Sequence, residues 1–472
     1  MTDIQQAGPP ARSAGRGFRA YSAKHLDMLA GRAGLPPEER LAVRAVAAVL
    51  PFRTNSYVVE NLIDWDAAPD DPIYRLVFPQ PDMLPAADVR RLADMLDGGA
   101  PEAGLRAAAH EIRMRLNPHP AGQLLLNAPS LPGGPLLPGL QHKYPETVLF
   151  FPRQGQTCHA YCSYCFRWAQ FVDEPDLKMA TDDIGALVAY LGEHREVTSV
   201  LITGGDPMIM GEAVLRRYIA PLIDPGHGLD RLESIRIGTK SLAYWPQRFI
   251  SDPDAGATLR LFEEVVASGR TLALMAHFSH PRELDPPVLA EAVRRIRDTG
   301  AVIRTQAPLI RSVNDEPGAW RAMWRAQVRM GMVPYYMFVE RDTGPRDYFA
   351  VPLARGWDIF RQAYQGVSGL GRTVRGPSMS ATPGKVCVDG VAEVAGRKVF
   401  VLRMIQARDP SLVGTPFFAR FDPAACWITD LEPAFAARFP FEPARCEAVP
   451  DGLPGLFPAE PDEPGQLMVP AL

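Results

Sequence analysis

The stretch TVLFFPRQGQTCHAYCSYCF, residues 147–166, joins an apolar run to a loop with three closely spaced cysteines. The apolar run, Thr147–Pro152, has the length and composition of a buried strand. Cys158, Cys162 and Cys165 follow it, and the other three of the six cysteines lie far away along the chain. The stretch therefore predicts a strand whose carboxyl end leads into a loop that carries three thiols.

The same strand pattern recurs through the middle of the chain. Short apolar runs alternate with helix-like stretches, which predicts parallel strands covered by helices. Six strands are expected, at Thr147–Pro152, Val197–Thr203, Glu233–Gly238, Thr271–His277, Ala301–Gln306 and Val333–Val339. Six units favour an α/β fold with a partial (βα)6 barrel, whose site lies at the carboxyl ends of the strands. An open doubly wound sheet is the alternative.

The regions on either side of the barrel have a different pattern. Residues 1–17 are polar and rich in glycine, proline and alanine, so they predict a flexible start. Residues 18–140 predict a mostly helical N-terminal region with proline-rich joints, and the barrel is expected over residues 141–354. Residues 355–472 predict an irregular C-terminal accessory region that packs onto the barrel opening.

Composition narrows the possible partners and locations. The chain has 472 residues, 47% of them apolar and 22% charged, with a net charge of -4. No long basic run argues for nucleic acid, and no apolar run reaches the roughly 18 residues of a membrane span. The N-terminus lacks the apolar core of a signal peptide, so a cytoplasmic location is expected.

Three clustered cysteines in such a chain indicate metal chemistry. Thiolates are the usual ligands of iron–sulfur clusters, and three of them leave a fourth iron open to a small molecule. A zinc site needs a fourth protein ligand, for which His159 is a candidate. Zinc and buried thiols remain the alternatives.

The cysteine spacing resembles that of the radical S-adenosylmethionine (SAM) superfamily. The resemblance implies a [4Fe–4S] cluster whose open iron binds SAM, and an electron donor of flavodoxin or ferredoxin type. Tyr164 matches an aromatic residue that contacts adenine. Gly204-Gly205-Asp206 matches a motif that binds the SAM amino group. His277 and Gln306 end two strands, where each either lines the SAM pocket or is structural.

Further motifs are similar to the lysine 2,3-aminomutase family. They are His142-Lys143-Tyr144-Pro145-Glu146, Arg236-Ile237-Gly238-Thr239-Lys240, Pro246-Gln247-Arg248, Val313-Asn314-Asp315 and Pro334-Tyr335-Tyr336. The resemblance implies an isomerase that combines the SAM radical with pyridoxal 5′-phosphate (PLP). It moves an amino group from Cα to Cβ of a small-molecule amino acid.

The same resemblance suggests which residues hold PLP. Lys385 matches the lysine of the resting Schiff base, although the preceding glycine run is reduced to Gly384; the alternative is an ordinary surface lysine. Lys240 stands where the family carries an arginine for the PLP phosphate. Lys143 and Tyr144 also match cofactor contacts.

The substrate residues depart from the family pattern. Arg167 matches the arginine that binds the substrate carboxylate, with a surface salt bridge as the alternative. Ungapped spacing puts Arg341 where an aspartate reads the lysine ammonium, and Asp342 is adjacent. An arginine there predicts a different α-amino acid, whereas an inward Asp342 restores a cationic one. Glu316 replaces a zinc-ligand cysteine, so no structural zinc is expected, and an oligomer is possible.

Three functions remain open from the sequence. The first is a PLP-dependent radical SAM 2,3-aminomutase. The second is a radical SAM enzyme on the same scaffold with other chemistry or a protein-bound substrate. The third is a non-catalytic protein that binds a cluster or SAM.

Overall fold

The computed structural model describes residues 17–443. Most of the expected flexible start, residues 1–16, and Cys446 lie outside the described residues. Within them, the strands form one large sheet of eleven strands and a small sheet of two. No helix of this part of the chain has both the length and the apolar composition that a membrane crossing requires.

The N-terminal part is mostly helical and precedes the large sheet. β1 (Ala20–Ser22) pairs antiparallel with β2 (Arg53–Asn55). The helices are α1 (Leu26–Arg32), α2 (Pro37–Val49), α3 (Pro72–Val77), α4 (Ala86–Asp97) and α5 (Glu102–Arg115). Prolines occupy the first turns of α2 and α3, where the missing N–H removes no helical hydrogen bond.

The large sheet begins with a hairpin and continues with parallel strands. The hairpin is β3 (Leu140–Tyr144) with β4 (Thr147–Phe150). The parallel strands that follow β4 are β5 (Ser199–Ile202), β6 (Ser234–Thr239), β7 (Thr271–His277), β8 (Val302–Leu309) and β9 (Val333–Val339). The helices that connect or follow them are α6 (Ile184–Glu193), α7 (Glu212–Ile223), α8 (Ser241–Tyr244), α9 (Ala255–Ala267), α10 (Pro287–Asp298), α11 (Pro317–Arg329), α12 (Arg346–Phe349) and α13 (Leu353–Gln365).

Strand order decides between the two folds expected from the sequence. Each strand from β4 to β9 lies beside the next one in the chain. A doubly wound sheet reverses its order at a switch point, and no reversal occurs in these strands. Sequential parallel strands with helical crossovers give a partial barrel, so the α/β barrel prediction is confirmed and the open sheet is excluded.

The predicted strands agree closely with the observed ones. Thr271–His277 and Val333–Val339 coincide with β7 and β9 at both ends. The other four overlap their strands and differ by up to three residues at an end. Helix and strand ends are the least determined part of such patterns, because fraying and hydrogen-bond partners set them.

The C-terminal part is more regular than the sequence suggested. β10 (Arg375–Ser380) joins β9 in parallel, and β11 (Gly384–Val394), β12 (Arg397–Ala407) and β13 (Pro416–Arg420) extend the sheet antiparallel. The turn between β11 and β12 consists of Ala395 and Gly396, both with positive φ, as tight hairpins require. β10 contains Pro377 and β13 begins with Pro416, so the prolines of this region did not prevent strands from forming.

Two hydrophobic clusters hold these parts together. The larger one runs through the helices and the parallel strands. The smaller one contains Val386, Val388, Phe400 and Leu402 of β11 and β12 and packs beside the end of β9 at Val339. β11 therefore lies fixed against the barrel, which positions the residues at its start.

Candidate active site

The loop that carries the cysteines is anchored from two sides. We call residues 153–168, between β4 and α6, the cysteine loop. The N-terminal region accepts two of its amides: Tyr161 donates to the Arg53 carbonyl, and Ser163 donates to the Leu76 carbonyl, both at 2.8 Å. The end of β5 packs so closely that a Cβ on Gly205 would lie 2.4 Å from the Thr157 carbonyl oxygen. Glycine is therefore required there by the approach of two backbones.

The three thiols of the cysteine loop form one electrostatic group. Burial raises the pKa of Cys158, and the charges of Asp206, Cys165 and Cys162 raise it further. Burial also raises the pKa of Cys165, to about 12, with Cys162 contributing. Thiols so placed ionise readily only beside a cationic partner such as iron.

A site for a single metal ion requires a different geometry from a site for a cluster. Among the described residues, no three His, Cys, Asp or Glu side chains converge tightly enough to hold one metal ion. The ligands of a [4Fe–4S] cluster can lie further apart, because each thiolate binds a different iron. The thiols on one anchored loop fit such a cluster.

Asp206 ties the cysteine loop to the neighbouring strand ends. Its buried carboxylate accepts hydrogen bonds from Thr239 Oγ1 at 2.9 Å, Ser241 Oγ at 3.0 Å and the Lys240 amide at 2.8 Å. A fourth bond comes from the Met208 amide at 3.0 Å. Because four protein donors already bind this carboxylate, we expect the Gly204-Gly205-Asp206 segment to contact a ligand through its backbone atoms.

Lys240 lies at the end of β6, beside the cysteine loop. Its ammonium is 2.8 Å from the buried carboxylate of Glu283 and 4.5 Å from the centre of the Tyr244 ring. It also donates to Ser279 Oγ at 3.3 Å, and Tyr164 Oη is 2.8 Å from the same hydroxyl. This ion pair keeps Lys240 on the cysteine side, which does not fit the expected contact with a phosphate near Lys385.

His277 and Gln306 lie side by side on β7 and β8. Their side-chain nitrogens are 2.7 Å apart. Burial, with Lys240 and Arg167 nearby, lowers the pKa of His277 to about 3, so the imidazole is neutral at ordinary pH. The two residues face the same part of the barrel as Lys240.

A second part of the site is a cavity of about 150 Å³ that opens to solvent. Its walls come from β3, β4, β5, β6, β10, β11 and β12, the end of the cysteine loop, the second residue after β9 and the segment that precedes β3. Its basic lining residues define what we call the cation cavity: Lys143, Arg167, Arg236, Arg341 and Lys385. No aspartate or glutamate is among the described residues that line it.

Lys385 is the second residue of β11 and lies at the cavity wall. Its ammonium donates to Gln406 Oε1 at 2.6 Å and lies 4.8 Å from the centre of the Tyr336 ring and 5.4 Å from that of Tyr144. Burial, together with the positive charges of Arg236 and Arg375, lowers the pKa of Lys385 to about 7, although Glu146 opposes the shift. An amine that is about half neutral at pH 7 suits Schiff-base formation.

Arg167 connects the cysteine loop to the cation cavity. It lies two residues after Cys165, and Cys165 and Cys158 both act on its pKa, which burial lowers to about 10. Its guanidinium rests 4.5 Å from the centre of the Phe151 ring and 4.9 Å from that of Phe166. One Nη atom is buried without a hydrogen-bond partner.

The remaining predicted residues divide between the two parts. Lys143 and Tyr144 line the cavity, and the Lys143 ammonium donates to the Ala381 carbonyl. Arg341 lines it as well, whereas Asp342 does not. Tyr164, Gly204, Gly205, Asp206, Lys240, His277 and Gln306 also fall outside its lining.

Arg236 is a cavity residue to which the sequence analysis gave no role. It lies in register with Leu201 of β5, which pairs in turn with Leu149 of β4, so all three side chains share the inner face. Its Nε atom is buried without a partner. The alternation of polar and apolar residues along β6 was visible in the sequence, and a charged residue within that alternation was the signal.

Comparison with known proteins adds to this geometry. A protein from Aquifex aeolicus described as "Putative L-lysine 2,3-aminomutase" is 30% identical over 398 residues, which cover 84% of this chain and 91% of that protein. The L-lysine 2,3-aminomutase of Fusobacterium nucleatum is 28% identical over 223 residues, and this match spans about half of its length, 48%. No family model matches the chain.

Among solved structures, a radical SAM methyltransferase from Sphaerobacter thermophilus covers 63% of this chain and 94% of its own, at 15% identity and a TM-score of 0.36. That similarity is too low to support a conclusion. The Aquifex match covers most of both chains at 30% identity. The chain therefore belongs to the lysine 2,3-aminomutase family of radical SAM proteins.

Proposed function

We propose that this protein is a radical SAM enzyme that depends on PLP and moves the amino group of an α-amino acid from Cα to Cβ. The observation that carries the proposal is the position of Arg167. It borders the cation cavity and also lies within electrostatic range of Cys165 and Cys158. A radical generated at the cysteine loop would therefore act on a substrate held beside Lys385.

Each cofactor has residues that fit it. Cys158, Cys162 and Cys165 would hold the cluster, with SAM at its open iron near Tyr164 and the backbone of Gly204 and Gly205. When bound, the cluster and SAM supply a carbon-centred radical, and PLP supplies an electron-withdrawing ring joined to the amino nitrogen. The electron donor, a flavodoxin or ferredoxin type of protein, belongs to the same proposal.

PLP fits the cation cavity for two reasons. Lys385 offers an amine with a pKa of about 7, and a phosphate ester needs cationic donors. Lys143 of β3 and Arg236 of β6 provide these donors at the cavity wall, with Tyr144 also in the lining. In this proposal Arg236 takes the role that the sequence had suggested for Lys240.

The protein's own residues orient and shield the substrate. Arg167 would bind the substrate carboxylate through its planar guanidinium, because its unpartnered N–H is buried at the cavity wall. Phe151 and Phe166 pack against this guanidinium and fix its direction. Gln406 holds the Lys385 amine when it is not engaged with a cofactor.

An anaerobic assay tests the proposal. The reconstituted protein is incubated with SAM, PLP, a strong reductant and a panel of α-amino acids, and β-amino products are sought by mass spectrometry. We expect a β-amino product with the unmodified protein and none with Lys385→Ala. SAM cleavage without any β-amino product would support other radical chemistry. A reduced cluster that leaves SAM intact would support a non-catalytic role.

A further inference from the structure

The charges that line the cation cavity are out of balance. Five basic side chains border it and no aspartate or glutamate does, among the residues that the structure describes. The N–H groups of Arg167, Arg236 and Arg341 include buried atoms without a hydrogen-bond partner. Buried cations that lack partners are costly, so a site of this kind is built for anionic ligands.

The proposed cofactor and an amino acid with one carboxylate do not provide an anionic partner for every basic side chain of the cavity. A Schiff base engages Lys385, which leaves four of the five cations. A phosphate ester carries about -2 at neutral pH, and one substrate carboxylate adds -1. With Lys143 and Arg236 beside the phosphate and Arg167 beside the substrate carboxylate, one guanidinium of the lining has no assigned anion.

Arg341 is the cation left over. Arg167, next to the cysteine loop, faces the substrate carboxylate, and Lys143 and Arg236 flank Lys385. The Arg341 guanidinium lies 4.9 Å from the centre of the Phe166 ring, the same distance as that of Arg167. Two guanidiniums on one aromatic ring suit a short ligand with a carboxylate at each end.

The acidic groups around Arg341 do not neutralise it. Burial raises the pKa of Glu340 well above its usual range, which disfavours the charged form of this side chain. Asp342 acts on Arg341 and Lys143 through space, but no ion pair joins it to either of them among the described residues, and its Oδ1 is buried without a hydrogen-bond partner. The Arg341 side chain donates only one hydrogen bond among these residues, from Nη2 to the Pro120 carbonyl oxygen at 3.4 Å.

We infer that the cavity accepts an amino dicarboxylate, an α-amino acid with a second carboxylate, and that Arg341 determines this specificity. The inference rests on the proposed function, because PLP is counted among the bound anions. An ammonium at the same place would face Arg341 in a shielded site, where like charges repel strongly. Free lysine is therefore a poor ligand of this cavity.

Equilibrium titration tests the inference without turnover. The PLP-loaded protein is titrated, in the absence of SAM, with L-aspartate, L-asparagine, L-glutamate, L-glutamine and L-lysine, and binding is followed by the visible absorbance of the cofactor. We expect one dicarboxylate to bind at least about tenfold tighter than its amide, because a site built for a charged group rejects the neutral isostere. L-Lysine should bind more weakly than either.

Three variants separate specificity from folding. Arg341→Gln should bring the acid-to-amide ratio close to one, while the PLP content stays unchanged. Arg341→Lys should restore most of the ratio, and Arg341→Asp should favour L-lysine. Arg420→Gln, which removes an exposed arginine on β13 outside the cavity, is the matched control and should keep the original ratio.

Two results would overturn the inference. One is tightest binding of L-lysine with loss of that binding in Asp342→Asn, which would make Asp342 the substrate contact. The other is an acid-to-amide ratio that Arg341→Gln leaves unchanged. If PLP fails to attach to the unmodified protein, the proposed function fails and this inference fails with it. If PLP attaches normally and either of the two results is found, the inference alone is overturned.

Discussion

The surroundings of the cysteine loop and the cation cavity differ in how their buried charged groups are paired. Near the cysteine loop, Asp206 accepts four hydrogen bonds from the protein and Lys240 is paired with Glu283. In the cavity, Arg236 and Arg341 each keep a buried N–H without a partner. The protein thus completes one set of polar groups itself and leaves the other set for ligands. Loss of a residue should therefore affect one side and spare the other.

The largest effect is expected from the cysteines. Cys158→Ala, Cys162→Ala or Cys165→Ala each removes a cluster ligand and should abolish SAM cleavage. Iron content and release of 5′-deoxyadenosine measure the loss, and PLP attachment should persist because the cavity does not contain these thiols. Cys426→Ala is the matched control with an intact cluster. A triple variant that still binds four irons and cleaves SAM would refute the assignment.

The reciprocal change is Lys385→Ala. It should remove covalent attachment of PLP and leave the cluster unchanged, because Lys385 supplies the amine and lies outside the cysteine loop. Borohydride reduction followed by peptide mapping locates the pyridoxyl group in the unmodified protein. A label on Lys143 or Lys240 instead would assign the Schiff base to that lysine and would contradict the separation of the cysteine loop from the cation cavity.

The pH dependence of PLP attachment sharpens the contrast further. The pKa of Lys385 is lowered to about 7, so below that pH the amine is protonated and cannot attack an aldehyde. The attachment rate should rise as the pH increases through about 7 and then level off. Stopped-flow absorbance of the apo-protein mixed with PLP measures it. A rate that is still rising steeply at pH 9 would show that Lys385 keeps an ordinary pKa.

The smallest expected effect is on the free energy of unfolding, when Asp206 or Asp183 is replaced. Asp206→Ala leaves several buried donors without an acceptor and should cost about 2–4 kcal/mol, judged from ~1–3 kcal/mol for one such group. Asp183→Ala removes only the N-terminal cap of α6, a bond of 2.9 Å to the Ala186 amide in an exposed setting, and should cost about 1 kcal/mol. Thermal unfolding of the two variants measures the difference. Equal losses would contradict the structural role of Asp206.

The local patterns in the sequence were sufficient to predict the parallel strands of the barrel and the cysteine loop. β7 and β9 were predicted at both ends, because apolar runs of strand length bounded by polar residues depend only on neighbours in the chain. The regular C-terminal strands were missed. β10 joins the sheet by pairing with β9, where Arg375 lies opposite Tyr336, 39 positions earlier, so the place of these strands in the sheet depends on distant residues rather than on a local period.

Within the site, the sequence by itself determined residue types and their spacing: three thiols on one loop, Lys385 after a glycine, and Arg341 where an acid was expected. Tertiary structure alone decided which of them share a cavity. Lys240 lies near the cysteines since Glu283, 43 positions away, pairs with its ammonium. Arg236 and Lys385 face one space because β6 and β11 belong to the same curved sheet. Charge balance in a buried site is a sum over such distant groups, so no local pattern could reveal it.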